Sequence, residues 1–254
     1  MIASLPMYDW PEVRDATDRW WQAIAHHLGV ASELQRGGDH TAMWRRPDLA
    51  FSQTCGYPFT HEFRGRLKLV ATPHYSVDGC DGPNYQSMIF AREYKPLEGW
   101  RGSTAGVNNP DSMSGMLALK LVFAPHAHRG QFFAAAIKTG GHISSLTAVR
   151  NGTADVCAVD AVCVALARAH RPEYLEGLVE IARAPMVPSL PYVTVGGDVP
   201  ALRHALAQAF ADPALQHTRD QLFLTGHSLL DARAYDRITD LETAIEQAGG
   251  LKLL

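Results

Sequence analysis

Residues 139–160 read Thr-Gly-Gly-His-Ile-Ser-Ser-Leu-Thr-Ala-Val-Arg-Asn-Gly-Thr-Ala-Asp-Val-Cys-Ala-Val-Asp, and the order of residue types here decides the fold class. The paired glycines, Gly140 and Gly141, free the backbone for a tight loop. Ile143 to Arg150 predicts a helix. Asn151-Gly152 is a turn signal. Ala154 to Val159 is an apolar run of strand length that ends at Asp160, and a further helix is expected over Ala161 to Ala169. Upstream, Ala134 to Lys138 predicts a strand running into Thr139. Strand, loop, helix, strand, helix is the repeating unit of a layered α/β fold.

The same pattern appears once more. Thr104 to Val107 predicts a strand, Asn108-Asn109-Pro110-Asp111-Ser112 a polar loop, and Met113 to Phe123 a helix. At the N-terminus, Ile2 to Leu5 predicts a short strand ended by Pro6. A helix follows from Pro11, with Val13, Trp20, Trp21, Ile24 and Leu28 at helical spacing and Gly29 as its stop. Leu49 to Gln53 predicts a strand entering the loop Thr54 to Pro58. Leu67 to Ala71, Tyr85 to Phe90, Leu178 to Ala182 and Tyr192 to Val195 are further strands. Pro200 to Phe210 and Leu241 to Ala248 are further helices. Short strands separated by helices predict parallel sheets with crossover helices. Proline breaks at Pro96 and around Pro185, Pro188 and Pro191 predict two lobes, the first from residues 1–90 plus 192–254 and the second from 91–191.

Composition removes several function classes. The chain has 254 residues, with Lys+Arg 23 against Asp+Glu 26 and a net charge of −3. That balance argues against a nucleic-acid or acidic-membrane surface, which needs clustered basic residues. No run reaches the ~18 apolar residues of a membrane span. Cys55, Cys80, Cys157 and Cys163 contain no C-x-x-C pair, so reduced, buried thiols are expected, and neither a metal site nor a cofactor is indicated.

The chemistry is expected at the two helix starts. A helix N-terminus carries orphan N–H donors and a partial positive charge, so it can hold an anion without Lys or Arg. Ser112 and Ser114 open one such helix. His142 and Ser145 open the other, beside the paired glycines. The plain alternative is capping by Asp111 or Ser112, and a Gly-Gly turn with a capping hydroxyl. Ser145, His142 and Asp160 also contain the residue types of a hydrolase triad. No G-x-S-x-G elbow accompanies them.

The ordered set Ser145-Leu146, Ala148-Val149, Gly152, Ala154-Asp155-Val156 and Asp160, with Ser112-x-Ser114-Gly115 upstream, resembles the phosphate, phosphite and phosphonate substrate-binding proteins of ABC transporters. The likeness is densest over residues 100–195. Leu5-Pro6-x-Tyr8 and Ser52-Gln53-Thr54-Cys55-Gly56 fall where that family places its other ligand loops. The resemblance implies a type II periplasmic-binding fold, with two α/β lobes, a ligand cleft and two hinge crossings. It implies a small oxyanion or phosphonate-like ligand, bound without chemistry. The expected contacts are Ser112, Met113, Ser114, His142 and Ser145 from one lobe, and Tyr8, Gln53, Thr54 and Tyr57 from the other. Asp160 would face the cleft, or cap the helix it opens. An ABC permease is the implied partner, with no nucleic acid and no membrane insertion. A metabolite-sensing module of the same fold is the alternative. The resemblance implies the periplasm. A first strand beginning at Ile2 leaves no room for a leader, which makes the cytoplasm the alternative. Asp111 stands beside the anion-binding helix start, where it would repel a dianion unless it turns outward.

Overall fold

The computed structural model describes residues 1–253. The chain forms two α/β units. The first comprises Met1–Ser76, Asp81–Pro83 and Pro188–Ala234. The second comprises Val77–Cys80, Asn84–Val187 and the chain from Tyr235 onward.

In the first unit a five-stranded sheet runs Ile2–Ser4, Leu49–Gln53, Tyr192–Thr194, Lys68–Tyr75, Leu224–Ser228. The first two strands are parallel, and every other pairing is antiparallel. The helix Arg14–Leu28 covers this sheet because its buried residues Ala16, Thr17, Trp20, Trp21, Ile24 and Ala25 fall on one stripe. Trp21 stacks on Phe51 of the sheet, with centroids 5.5 Å apart, and Trp20 meets Phe210 edge-on. Gly29 ends the helix at φ 64°, a left-handed cap that glycine adopts without a Cβ penalty. Phe210 lies on the helix Val199–Ala211, which Asp198 caps by accepting the Ala201 N–H.

In the second unit the sheet order is Val179–Arg183, Ser87–Ala91, Val156–Asp160, Thr104–Val107, Ala135–Lys138. Val156–Asp160 is central and buried at every position. Each fully buried valine there contributes ~1.5–3 kcal/mol of apolar burial. Ala135–Lys138 and Val156–Asp160 both run parallel to Thr104–Val107. Ser87–Ala91 runs antiparallel to Val156–Asp160, and Val179–Arg183 runs antiparallel to Ser87–Ala91.

Several expectations from sequence need correction. The sheets are mixed, not parallel: Tyr192–Thr194 and Leu224–Ser228 run against their neighbours in the first unit, and Ser87–Ala91 does so in the second. Tyr85–Phe90 is broken into Asn84–Tyr85 and Ser87–Ala91. Part of the expected loop 54–58 is the short helix Gly56–Thr60. The last helix starts early, at Asp236. The division of the chain also differs from the expected boundaries. Ser87–Ala91 is an internal strand of the second unit. The helix Asp236–Gln247 packs there too, with Lys120 Nζ 3.3 Å from Glu246 Oε1. The Lys252 N–H donates to the Gly130 carbonyl at 3.0 Å. All four cysteines are free, but only Cys157 and Cys163 are buried; Cys55 and Cys80 are partly exposed.

Candidate functional site

Thr104–Val107, Ala135–Lys138 and Val156–Asp160 share one direction, so their carboxyl ends lie along one sheet edge. Those ends deliver Asn108, Thr139 and Asp160, and a helix begins shortly after each. Open α/β sheets bind ligands at this edge. The loops are tied together there. The Thr139 N–H donates to the Val107 carbonyl, and the Gly140 N–H to the Asn108 carbonyl, both at 2.8 Å.

The three helix starts differ in what occupies them. At the third, the buried Asp160 carboxylate accepts the Val162 N–H at 2.8 Å and the Cys163 N–H at 3.2 Å. Its position is that of an N-cap, so the positive end of this helix already holds an anion. The same carboxylate acts on Cys163, whose thiol pKa is driven up by burial first and by Asp160 second.

The first helix, Met113–Phe123, opens with a π-turn over Met113–Leu117 and has Ser112 as its N-cap. Ser112 Oγ accepts the Gly115 N–H at 3.0 Å and the Asn108 amide N–H at 2.9 Å. Both lone pairs of the hydroxyl are taken, so its one proton is left to donate. The clamp depends on glycine at 115: a Cβ there would sit 1.7 Å from Asn108 Oδ1. Ser114 Oγ lies 2.9 Å from His142 Nε2, which joins the first helix start to the second. Met113 is buried, and Asp111 is exposed.

The second helix, His142–Arg150, has Gly141 as its N-cap and no capping side chain. His142 is half-buried, and burial lowers its pKa to about 4, partly offset by the Ala158 carbonyl. Ser145 is fully buried. Its hydroxyl donates to the Gly141 carbonyl at 3.0 Å and lies 2.6 Å from Thr139 Oγ1. It is used inside the loop and is not presented at the helix start. The His142 ring faces Ser114 and not Ser145. No cluster of three or more His, Cys, Asp or Glu that could hold a metal occurs among the described residues.

In the first unit, Tyr8 and Gln53 come together. Gln53 donates its amide to Tyr75 Oη at 2.9 Å and to the Leu190 carbonyl at 3.1 Å. Tyr8 meets Tyr75 edge-on at 5.5 Å. With Trp20 and Tyr192 these residues line a cavity of about 30 Å³ that contains no charged side chain. Burial pushes the Tyr192 phenol well above its ordinary pKa. Thr54 is buried, and its hydroxyl donates to the Cys55 carbonyl at 3.3 Å. Tyr57 stacks on His61 with centroids 3.8 Å apart.

Sequence reasoning singled out Ser112, Ser114 and His142, which the structure gathers. It missed Asn108, Thr139 and Tyr75 as partners. For Asn108 and Thr139 the available signal was their place at the carboxyl ends of strands. Tyr75 carries no local signal, because the expected strand stopped at Ala71.

Over residues 2–240 the chain matches the model of a family described as the periplasmic substrate-binding protein of ABC phosphonate transporters. No curated protein sequence matches it. Among solved structures, a binding protein component of an ABC phosphonate transporter from Pseudomonas aeruginosa is similar, with TM-score 0.80 and 17% identity, covering 97% of this chain and 86% of that one. PhnD1 from Prochlorococcus marinus, solved with methylphosphonate, has TM-score 0.76 and 12% identity, with 97% and 98% covered. A Xanthomonas citri protein solved bound to ATP has TM-score 0.71 and 20% identity, with 97% of each chain covered. At these identities the likeness establishes the type II periplasmic-binding fold.

Proposed function

The chain belongs to the periplasmic substrate-binding family of ABC phosphonate transporters, and we propose that it captures a small phosphonate, phosphite or phosphate for uptake through a cognate permease. The ligand's oxyanion rests on the starts of the helices Met113–Phe123 and His142–Arg150. The observation that carries this reading is the Ser112 hydroxyl, whose two lone pairs are occupied from within the fold and whose proton is left to donate. Ser114 and His142 supply side-chain polar groups beside it, and the first-turn N–H groups add the dipole of each helix. No lysine or arginine is required, because charge-assisted hydrogen bonds from hydroxyls and amides suffice for a tetrahedral anion. Capture involves no bond-making step, and the periplasm is the compartment in which the family works. No helix among the described residues is long and apolar enough to cross a membrane.

The test is a thermal-shift series with methylphosphonate, phosphite, phosphate, sulfate, arginine and ATP. Methylphosphonate, phosphite or phosphate is expected to raise the melting temperature most. A ligand at 100 times its Kd adds about 2.7 kcal/mol of stability. Stabilisation by arginine or ATP alone would overturn the assignment.

A further inference from the structure

We propose that His142 takes up a proton when an oxyanion settles on the Ser112–Ser114 helix start, so that both serine hydroxyls donate to the ligand. This rests on the binding reading above and adds a proton to it.

A neutral imidazole has one nitrogen that donates and one that accepts. Nε2 of His142 faces Ser114 Oγ at 2.9 Å. Nδ1 is buried without a hydrogen-bond partner among the described residues. If Nε2 accepts, the only proton of Ser114 points into the ring, and Ser114 shows an approaching oxyanion nothing but lone pairs. If Nε2 donates, Nδ1 is left as a buried lone pair with no donor. Neither neutral tautomer both releases the Ser114 proton and protonates Nδ1. The imidazolium does both: Nε2–H donates to Ser114 Oγ, which releases the Ser114 proton to the ligand, and Nδ1 carries a proton in a ring whose charged form the Ala158 carbonyl favours. In the free protein, burial keeps the ring neutral, with a pKa of about 4. A bound anion supplies the opposite charge that reverses this balance.

The titratable groups on and around the elements packed against this helix are Asp160 and Cys157 on the central strand, Asp111 and Lys120 by the first helix, Glu173 and Tyr174 on the 172–174 turn, and Arg92 and Arg150 near the far end. None of them acts on the ring, which responds only to burial and to the Ala158 carbonyl. Arg92 is held by the Ala154 carbonyl and Asp155, and Asp160 by its own helix.

Because the ring's pKa is higher in the complex than in the free protein, affinity is greatest at low pH. It falls by up to about tenfold per pH unit as pH rises from about 4 to the pKa of the complex, and is level above it. The experiment titrates methylphosphonate into the full chain and its His142→Gln variant from pH 5 to 8. It also records the ring ¹⁵N signals of His142 with and without ligand. The expected result is an imidazolium signal in the complex, with a pH slope steeper in the wild type than in the variant. The ligand's own titration is common to both proteins and cancels in their ratio. A complex in which the ring stays neutral, or equal slopes, overturns the proton uptake and leaves the binding reading standing. No binding of methylphosphonate, phosphite or phosphate to the wild type overturns both.

Discussion

Two loops of the second unit, Asn108–Gly115 and Thr139–Leu146, carry the same strand-loop-helix pattern and use their serines in opposite ways. In the first loop, Ser112 receives two hydrogen bonds from within the fold and keeps its proton for something outside it. In the second, Ser145 gives its proton to the Gly141 carbonyl and lies against Thr139. One serine is a donor held ready; the other is a brace for the loop that aims His142. The sequence pattern is shared because both loops must start a helix after a strand. The roles differ because Ser112 precedes its helix, whereas Ser145 lies one turn inside and reaches back to the carbonyl four residues before it.

The widest break of this contrast is Gly115→Ala. The new methyl would land on Asn108 Oδ1. Asn108 has to leave, and the support under Ser112 goes with it. Unfolding in urea is expected to show a loss of about 3 kcal/mol, as for an overpacked core position, and the stabilisation by methylphosphonate should vanish. A variant that keeps both stability and ligand response would show that the Asn108–Ser112 clamp is dispensable. The paired substitutions Ser112→Ala and Ser145→Ala sharpen the contrast. Ser112→Ala should weaken methylphosphonate binding by roughly 1.5–3 kcal/mol, the worth of a hydrogen bond to a charged group. Ser145→Ala should cost about 1 kcal/mol of folding stability and leave the ligand-induced shift in melting temperature nearly intact. Calorimetric titration of both variants separates these outcomes; equal losses of affinity would erase the distinction. The smallest effect is expected from Asp111→Asn. Asp111 is exposed, so its charge is screened, and removing it should improve affinity by only about 0.3 kcal/mol at physiological salt. A tenfold gain would place that carboxylate against the ligand.

Much of the second unit was legible in the chain, because its strand-helix units are local. The central strand is a continuous apolar run, the glycines mark the loops, and Asp160 sits where an N-cap must. The first unit was harder. Leu224–Ser228 contains Thr, Gly, His and Ser and alternates in no useful way, yet it pairs with Lys68–Tyr75. Gly56–Thr60 contains glycine and proline and reads as loop, although Pro58 is tolerated in a helix's first turn. The antiparallel strands were not legible, since strand direction is set by tertiary pairing and not by any local pattern. At the site, residue types were readable and hydroxyl directions were not. Whether a serine aims outward depends on partners such as Asn108 and Thr139, whose importance appears only in three dimensions.

The buried cap on the helix Ala161–His170 has a consequence for motion. Of three helices that begin along one sheet edge, this one carries its counter-charge in Asp160, while on the proposed reading the other two take theirs from the ligand. On that reading, order at the third start does not depend on the ligand, whereas the starts at Met113 and His142 gain a restraint when an anion binds. Amide exchange at the three first turns should then divide: slow at Val162 with or without anion, and slowed at Ser114 and Ile143 only in its presence.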